Sequence, residues 1–272
     1  MSAPIESARR RELALALVAE RGFVRVADLA ASFGVTAVTA RADLDALERT
    51  GGIRRVHGGA VPASAVAEGR PDREPSFEEA LEAGVLPKRA IGRAAADLVR
   101  TGQSILLDVG TTTLQVARAL RARTDLEDVT IFTNGLSIAL ELEPEIPRFT
   151  VIVTGGTLRP KQHSLVHPLA RTMLDEIHVD LAVLGCNGVD ATRGVTNANL
   201  PEAEVKALML RAATRSVVVA DASKLGEVHL GRIAGIDEVD LLLTDDQAPA
   251  VLVGELRDAG LEVRTAAAAP AV

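Results

Sequence analysis

The chain has 272 residues, 47% of them apolar and 25% charged, the balance of an ordinary globular protein, which excludes wholesale disorder and fibrous structure. At roughly 150 residues per domain this length predicts two domains. With five Phe, no Trp and no Tyr, the core must be built from Val, Leu, Ile and Ala, and stacking platforms for single-stranded nucleic acid are disfavoured. The net charge of −7, taken whole, argues against a polyanionic partner.

That charge is unevenly distributed. Residues 1–62 carry 9 Lys+Arg and 7 Asp+Glu, and the remainder 21 and 30, so a head of charge +2 precedes a body of charge −9. Between them, residues 63–75 (ASAVAEGRPDREP) combine Gly, two Pro and mixed charge without an apolar period, which reads as a linker or a surface loop. Cys186 is the single cysteine, so there is no intrachain disulfide and no cysteine-based zinc cluster, as suits a reducing compartment. MSAPIESARRRELALAL has no apolar core of a leader after its charges, and no run approaches the roughly 18 apolar residues that span a bilayer. A soluble, cytoplasmic protein without a membrane partner is expected.

The head, residues 1–62, predicts three short helices and a hairpin. Leu13 and Leu17 are spaced i, i+4 in the first helix, and Val26, Leu29, Ala30 and Phe33 are spaced i, i+3, i+4, i+7 in the second. Gly34 interrupts, Thr36 is placed as an N-cap, and a third helix runs from Ala37 to about Arg49. Helix, glycine turn and helix form the helix-turn-helix pattern. On a helical wheel Ala37, Ala40, Leu44 and Leu47 face inward; Val38, Ala42, Ala46 and Arg49 face outward, with Thr39 and Arg41 on the flanks. Such a face approaches a groove closely and offers Thr36, Thr39 and Arg41 to phosphates or base edges. IRRVHGGAV after Gly52 predicts a β wing from which Arg54, Arg55 and His57 reach the backbone or a minor groove. A helical interaction module with solvated arginines is the blander alternative.

RRELALALVAERGFVRVADLAASFGVTAVTARADLDALERTGGIRRVHGGAV resembles the N-terminal winged helix-turn-helix of the DeoR family of bacterial transcriptional regulators. Leu29, Ala30, Phe33, Gly34 and Val35 carry the likeness, with Thr36, Thr39, Arg41, Asp43 and Leu44 and the wing residues Arg55, His57, Gly58, Gly59 and Ala60. Where that family has two adjacent arginines in its recognition helix, this chain has Arg41 and Ala42, implying a weaker phosphate contribution or a changed base preference.

Residues 76–272 form the expected second domain, in which β-branched apolar runs alternate with helical stretches from about residue 88 onward. Strands are predicted over 104–109, 129–133, 149–154, 181–185, 216–220, 241–244 and 261–264, and helices around 88–100, 113–123, 136–143, 169–176, 201–213 and 249–259. This predicts an α/β class, with an open, mostly parallel sheet covered on both faces, and a frayed tail at 266–272. Ligands of such sheets bind at the carboxyl ends of the strands, and polar and glycine motifs fall there. Gly110, Thr111, Thr112 and Thr113 lie between a strand and a helix, where backbone N–H groups, hydroxyls and the helix dipole favour an anion; a plain turn with an N-cap is the alternative. Thr133-Asn134-Gly135, Thr154-Gly155-Gly156-Thr157, Gly185-Cys186-Asn187-Gly188 and Asp221-Ala222-Ser223-Lys224 repeat the pattern. Five such ends, with Lys224 and Lys88 as cations, predict one phosphate-bearing ligand.

This part resembles the effector domain of the same family, which shares its fold with ribose-5-phosphate isomerase and glucosamine-6-phosphate deaminase. The likeness rests on Lys88, LDVGTTT, TNGLSIALEL, VTGGTLR, SLVHP, GCNGVD, RGVT with PEAEVK, DASK and LLLTD. It implies a phosphorylated sugar with its phosphate on Gly110–Thr113 and Lys88 or Lys224, and its hydroxyls met by Asp108, Asn134 or Glu202, with Gly155, Gly156 and Asn187 beside it. Ala80 and His167 depart from the family pattern, and His167 narrows the pocket if a glycine there admits the ligand. His163 and His167, four apart, are candidate metal ligands on one helical face, but no third ligand is in view, and neither metal nor cofactor is expected. Cys186 reads as a small buried side chain. The implied protein is a repressor of a sugar or polyol operon that binds double-stranded operator DNA as a dimer or tetramer and responds to a phosphorylated sugar. The rival is a sugar-phosphate isomerase or deaminase, for which Asp108, Asp190, Asp221, Glu202 and Lys224 supply acid-base groups; the head has no role in such an enzyme.

Overall fold

The computed structural model describes residues 7–21, 24–56, 59–62 and 75–267. The chain divides into two compact units, Met1–Pro71 and Asp72–Val272. All of the expected linker except Pro75 lies outside the described residues.

In the first unit, α1 (Ser7–Arg21), β1 (Val24–Arg25), α2 (Val26–Phe33) and α3 (Ala37–Arg49) precede the wing strands β2 (Ile53–Val56) and β3 (Gly59–Pro62). Ala14, Val18, Val26, Leu29, Ala40, Leu44, Leu47 and Ile53 form the core, with Leu17, Ala30 and Phe33 packed against it. The inward face of α1 is thus set one residue on from Leu13 and Leu17. Gly34 ends α2 in the left-handed conformation, at φ +63°, and its N–H and that of Val35 turn back to the carbonyls of Ala31 and Ala30, satisfying the last turn. Thr36 then caps α3, its hydroxyl accepting from the Thr39 N–H at 3.2 Å. The wing is antiparallel, Ile53 opposite Pro62 and Val56 opposite Gly59, and β1 adds a third strand beside β3.

The wheel for α3 needs two corrections: Ala37 is exposed and Asp43 takes an inward place, 6% exposed. Arg10 donates to it from Nε at 2.5 Å and from Nη2 at 3.2 Å, and Arg11 Nε at 3.3 Å. A carboxylate is stable on an apolar face when its lone pairs are met by charged donors, which a pattern of apolar residues alone does not reveal.

The second unit runs α4 (Phe77–Glu82), α5 (Val85–Ala96), β4 (Ser104–Leu107), α6 (Thr111–Ala122), β5 (Val129–Thr133), α7 (Leu136–Leu142), β6 (Phe149–Val153), β7 (Thr157–Arg159), β8 (Ser164–Val166), α8 (Leu169–Leu174), β9 (Val179–Gly185), β10 (Gly188–Asp190), β11 (Gly194–Asn197), α9 (Leu200–Arg211), β12 (Ala213–Val219), β13 (Gly231–Ala234), β14 (Leu241–Asp245), α10 (Ala250–Asp258) and β15 (Val263–Ala266). Seven parallel strands form one sheet in the order β15-β14-β12-β9-β4-β5-β6. These are the seven strands expected from the sequence, and the six expected helices recur with ends shifted by up to four residues. Successive side chains of a strand take opposite faces. Ile105, Leu107, Leu181 and Val183 accordingly join one core with residues of α5, α6 and α7, while Leu106, Ala182 and Leu184 join another with residues of α8 and α9. Both faces being covered, the strands read as unbroken apolar runs. Gly92 of α5 lets α6 approach: a Cβ there would lie 2.6 Å from the Gln115 carbonyl carbon.

The expected frayed tail begins too early, because β15 continues to a buried Ala266. Also unforeseen are α4, the β7-β8 hairpin and the antiparallel sheet β10-β11-β13, all built from segments of six residues or fewer that show little periodicity. Asp43→Ala removes the carboxylate that Arg10 and Arg11 meet on the inner side of α3; destabilisation of about 3 kcal/mol is expected, read as a lower urea midpoint for the first unit.

Candidate functional site

In the first unit Val38 stands out from α3 at 73% exposure, flanked by exposed Arg41 and Ala42, while Thr39 is half-buried and Thr36 exposed. Thr36 and Thr39 share a hydrogen bond at 3.0 Å, so their hydroxyls are positioned together at the start of the helix. Arg54 and Arg55 lie on β2 opposite Val61 and Ala60, and His57 lies outside the described residues. The face offered to a groove is therefore small or apolar, with a cation beside the helix N-terminus.

In the second unit, the order of strands reverses between β4 and β9: from β4 the chain builds outward through β5 and β6, and from β9 it builds the other way through β12, β14 and β15. Loops at such a switch point diverge and leave a crevice at the carboxyl ends. A cleft opens there, lined by Gly110–Thr113 after β4, Gly185–Asn187 after β9, and Asp221 and Lys224 after β12. Lys88, Asn197, Glu202 and Lys206 complete it, with Pro75, Phe77, Ala80 and Gln162 on a further wall.

Three of the five polar strand ends thus meet. The other two do not line the cleft. Gly156 packs on Val166, where a Cβ would fall 1.9 Å from the carbonyl oxygen, and Gly155, at φ +71°, faces Leu169; the first serves a close backbone approach and the second a left-handed turn before the β7-β8 hairpin, rather than the expected place in the cleft. Asn134 is fully buried, its Oδ1 accepting from the Val109 N–H at 2.8 Å, so it shapes the loop before Gly110 from behind.

An ion pair underlies the cleft, with Lys206 in the lining and Asp108 fully buried behind it. Lys206 of α9 and Asp108 are both buried and paired, Lys206 also donates to the Gly185 carbonyl at 3.1 Å, and the Gly185 N–H donates to Asp108 at 3.0 Å. Burial disfavours both charges; Asp108 and Glu202 overcome it at Lys206 and hold its pKa up, which keeps the ammonium charged. Asp108 Oδ1 has no hydrogen-bond partner among the described residues. Glu202 is committed: Arg159 and Ser164 share one oxygen and Asn197 reaches the other at 3.3 Å. The Asn199 side chain caps α9. Asp221 caps the turn holding Ser223 and Lys224, and Asp245 accepts the Ala222 N–H at 2.7 Å. Lys88 donates to the Ala80 and Ala83 carbonyls, each at 2.7 Å, and burial lowers its pKa. The Lys224 ammonium makes neither hydrogen bond nor ion pair among the described residues.

The first turn of α6 leaves its N–H groups without intrahelical acceptors, and Thr113 ties its hydroxyl to the Gly110 carbonyl at 3.0 Å. The cleft therefore combines open backbone donors, a helix N-terminus and a free ammonium, a set that attracts an anion.

A family model described as a DeoR-like helix-turn-helix domain matches residues 10–66, and one described as a DeoR C terminal sensor domain matches residues 85–246. The chain belongs to the DeoR family. Within it, this chain is 36% identical to the HTH-type transcriptional regulator GlpR of Haloferax volcanii over 94% of its own length and 96% of that protein's. It is 33% identical to the HTH-type transcriptional repressor CsqR of Escherichia coli over 93% and 94%. Among solved structures, ribose 5-phosphate isomerase A of Methanocaldococcus jannaschii aligns over 50% of this chain and 52% of that one at 18% identity, with a TM-score of 0.36.

For this DeoR-family chain, Lys206, Arg159, Ser164 and Asn197 were not singled out in the sequence. The available signal was the i, i+4 pair Glu202 and Lys206 on a helix whose neighbouring positions are apolar. His163 and His167 flank β8 rather than sharing a helix. His163 meets Ser137 and Glu78, His167 Nε2 lies 2.9 Å from Glu204 without hydrogen-bond geometry, and no group of three metal-ligating side chains occurs among the described residues. No helix of the described residues is long and apolar enough to cross a membrane.

Cys186 lines the cleft, and burial pushes its thiol up to about 12. Alkylation by iodoacetamide at pH 8 is expected to be at least about 100-fold slower in the folded chain than in urea, because the thiolate is the reactive form. Lys206→Met strands the Asp108 carboxylate, and a loss of about 3 to 5 kcal/mol in global stability is expected from chemical denaturation.

Proposed function

We propose that this chain represses an operon for sugar or polyol breakdown, binding double-stranded operator DNA through α3 and the wing and a phosphorylated sugar in the cleft. The observation that carries the ligand assignment is the meeting of the open α6 N-terminus at Gly110–Thr113 with the unpaired Lys224, in a cleft whose own carboxylates, Glu202 and Asp221, already have partners. A phosphate supplies the missing acceptor and charge. Asp108 Oδ1, Asn187 and the third Lys206 N–H supply acceptors and donors for sugar hydroxyls.

On the DNA side, Val38 and Ala42 present apolar surface to the groove, and Thr36, Thr39, Arg41 and the wing arginines Arg54 and Arg55 supply donors. A homo-oligomer presents two such heads to a repeated site. Ligand occupancy shifts DNA affinity by its differential affinity for the two arrangements, commonly about 1 to 3 kcal/mol. The enzyme alternative is less well supported. Of its candidate acid-base groups, Asp108 is bound by Lys206, Glu202 by Arg159, and Asp190 by the Thr192 and Arg193 N–H groups of its own turn. Fold kinship supplies no activity by itself.

Arg41→Ala is expected to weaken operator binding and flatten the dependence of log K on log salt by about one unit, measured by fluorescence anisotropy on DNA upstream of the gene. A thermal-shift series with phosphorylated C5 to C7 sugars and polyols tests the pocket: one of them should raise the melting temperature, and Thr112→Ala and Lys224→Ala should abolish the rise. Turnover of ribose 5-phosphate or glucosamine 6-phosphate that disappears in Lys224→Ala would replace the regulator with an enzyme.

A further inference from the structure

The first described stretch of the second unit, Pro75–Ala83, is bound to the cleft in a way that packing of α4 does not require. Pro75, Phe77 and Ala80 form one wall of the cleft. The Phe77 N–H donates to the Lys161 carbonyl at 2.8 Å, and Gln162 Nε2 donates to the Pro75 carbonyl at 2.8 Å. The Phe77 ring stacks on His163 at 4.9 Å between centroids, and His163 Nε2 lies 3.2 Å from Glu78. At the far end of the stretch, Lys88 holds the Ala80 and Ala83 carbonyls. A helix of six residues has no stability of its own, so it is docked by these contacts, by the Ser76–Glu79 capping box and by Phe77, which enters the main apolar cluster with Leu81 packed against it.

His163 has a left-handed backbone, φ +54°, uncommon outside glycine. Such residues persist where their surroundings over-determine them and gather at ligand clamps. Here the surroundings include the strap, Ser137, whose hydroxyl meets His163 Nδ1 at 2.6 Å, and the Leu136 N–H, which donates to the His163 carbonyl at 2.9 Å.

We infer that Pro75–Ala83 is a strap latched by the ligand: Lys88 spends two of its three N–H groups on the strap and turns the third to the anion in the cleft it lines. An anion in the cleft and the two carbonyls then fix one and the same ammonium, so each contact holds it in place for the other. Docking of the strap and occupancy of the cleft therefore reinforce each other, and the coupling is reciprocal. The strap directly follows the chain segment that leads from the first unit, so occupancy tightens the point where that segment enters the second. This rests on the cleft being an anion site.

Hydrogen exchange on the full chain, with inorganic phosphate and ribose 5-phosphate as probes, reads the strap amides of 77–82 and the α6 amides of 111–114 separately. Expected is protection of both by the same probe, the strap slowing roughly tenfold, the change that one charge-assisted hydrogen bond corresponds to. Protection of 111–114 with an unchanged strap would overturn the latch and leave the anion site standing. Protection of neither by either probe would overturn both. Ser76→Ala removes the cap of α4 without touching the cleft, and reciprocity requires it to weaken probe binding by up to about fivefold. Unchanged probe affinity alongside faster strap exchange in this variant would also overturn the latch.

Discussion

One buried ion pair, Lys206 with Asp108, lies beneath everything the second unit can do. Strand order reverses between β4 and β9, and a sheet that splits its connections in this way leaves the ends of those two strands without a shared loop. Lys206 bridges them from α9, touching the carboxylate that follows β4 and the carbonyl that ends β9, while the Gly185 N–H returns a bond to the same carboxylate. Two charges out of water are tolerated because each satisfies the other and the backbone. The pair thereby ties the two strand ends together beneath a crevice lined by the α6 N-terminus and Lys224.

Around that pair the polar groups of the cleft separate by how fully they are engaged. Glu202 is immobilised by Arg159, Ser164 and Asn197 and fixes the loops around it. Lys88 is engaged with main-chain carbonyls and still borders the cleft. Lys224 is unengaged among the described residues. A site in which the negative groups are neutralised internally and one positive group is left over is electrostatically poised for an anion, although the body as a whole carries −9. Net charge describes solubility and long-range repulsion; local pairing decides what binds.

The first unit shows the same logic at smaller scale. Asp43 on the inward side of α3, clamped by Arg10 and Arg11 of α1, fixes the two helices against each other with little apolar mass. The outward side is then free to carry Val38, Arg41 and Ala42. In a unit without Trp or Tyr, an ion pair and the Gly34 and Thr36 caps do much of the positioning that larger side chains do elsewhere.

The sequence by itself determined the two-part division, the seven parallel strands, the six main helices, the glycine turn of the helix-turn-helix and the strand-to-helix turn at Gly110–Thr113. These are local: a run of β-branched residues, a cap or a glycine at positive φ acts within a few residues of itself. Only the tertiary structure decided which strand ends share a cleft, because that depends on strand order, and identical-looking glycine motifs after β5 and β6 fall away from it. It also decided that Asp43 and Lys206 point inward, since a charge is buried only when a partner far along the chain meets it: 33 residues away for Arg10, 98 for Asp108. The short strap was equally invisible, because six residues hold too little periodicity to predict a helix whose stability comes wholly from what it rests on.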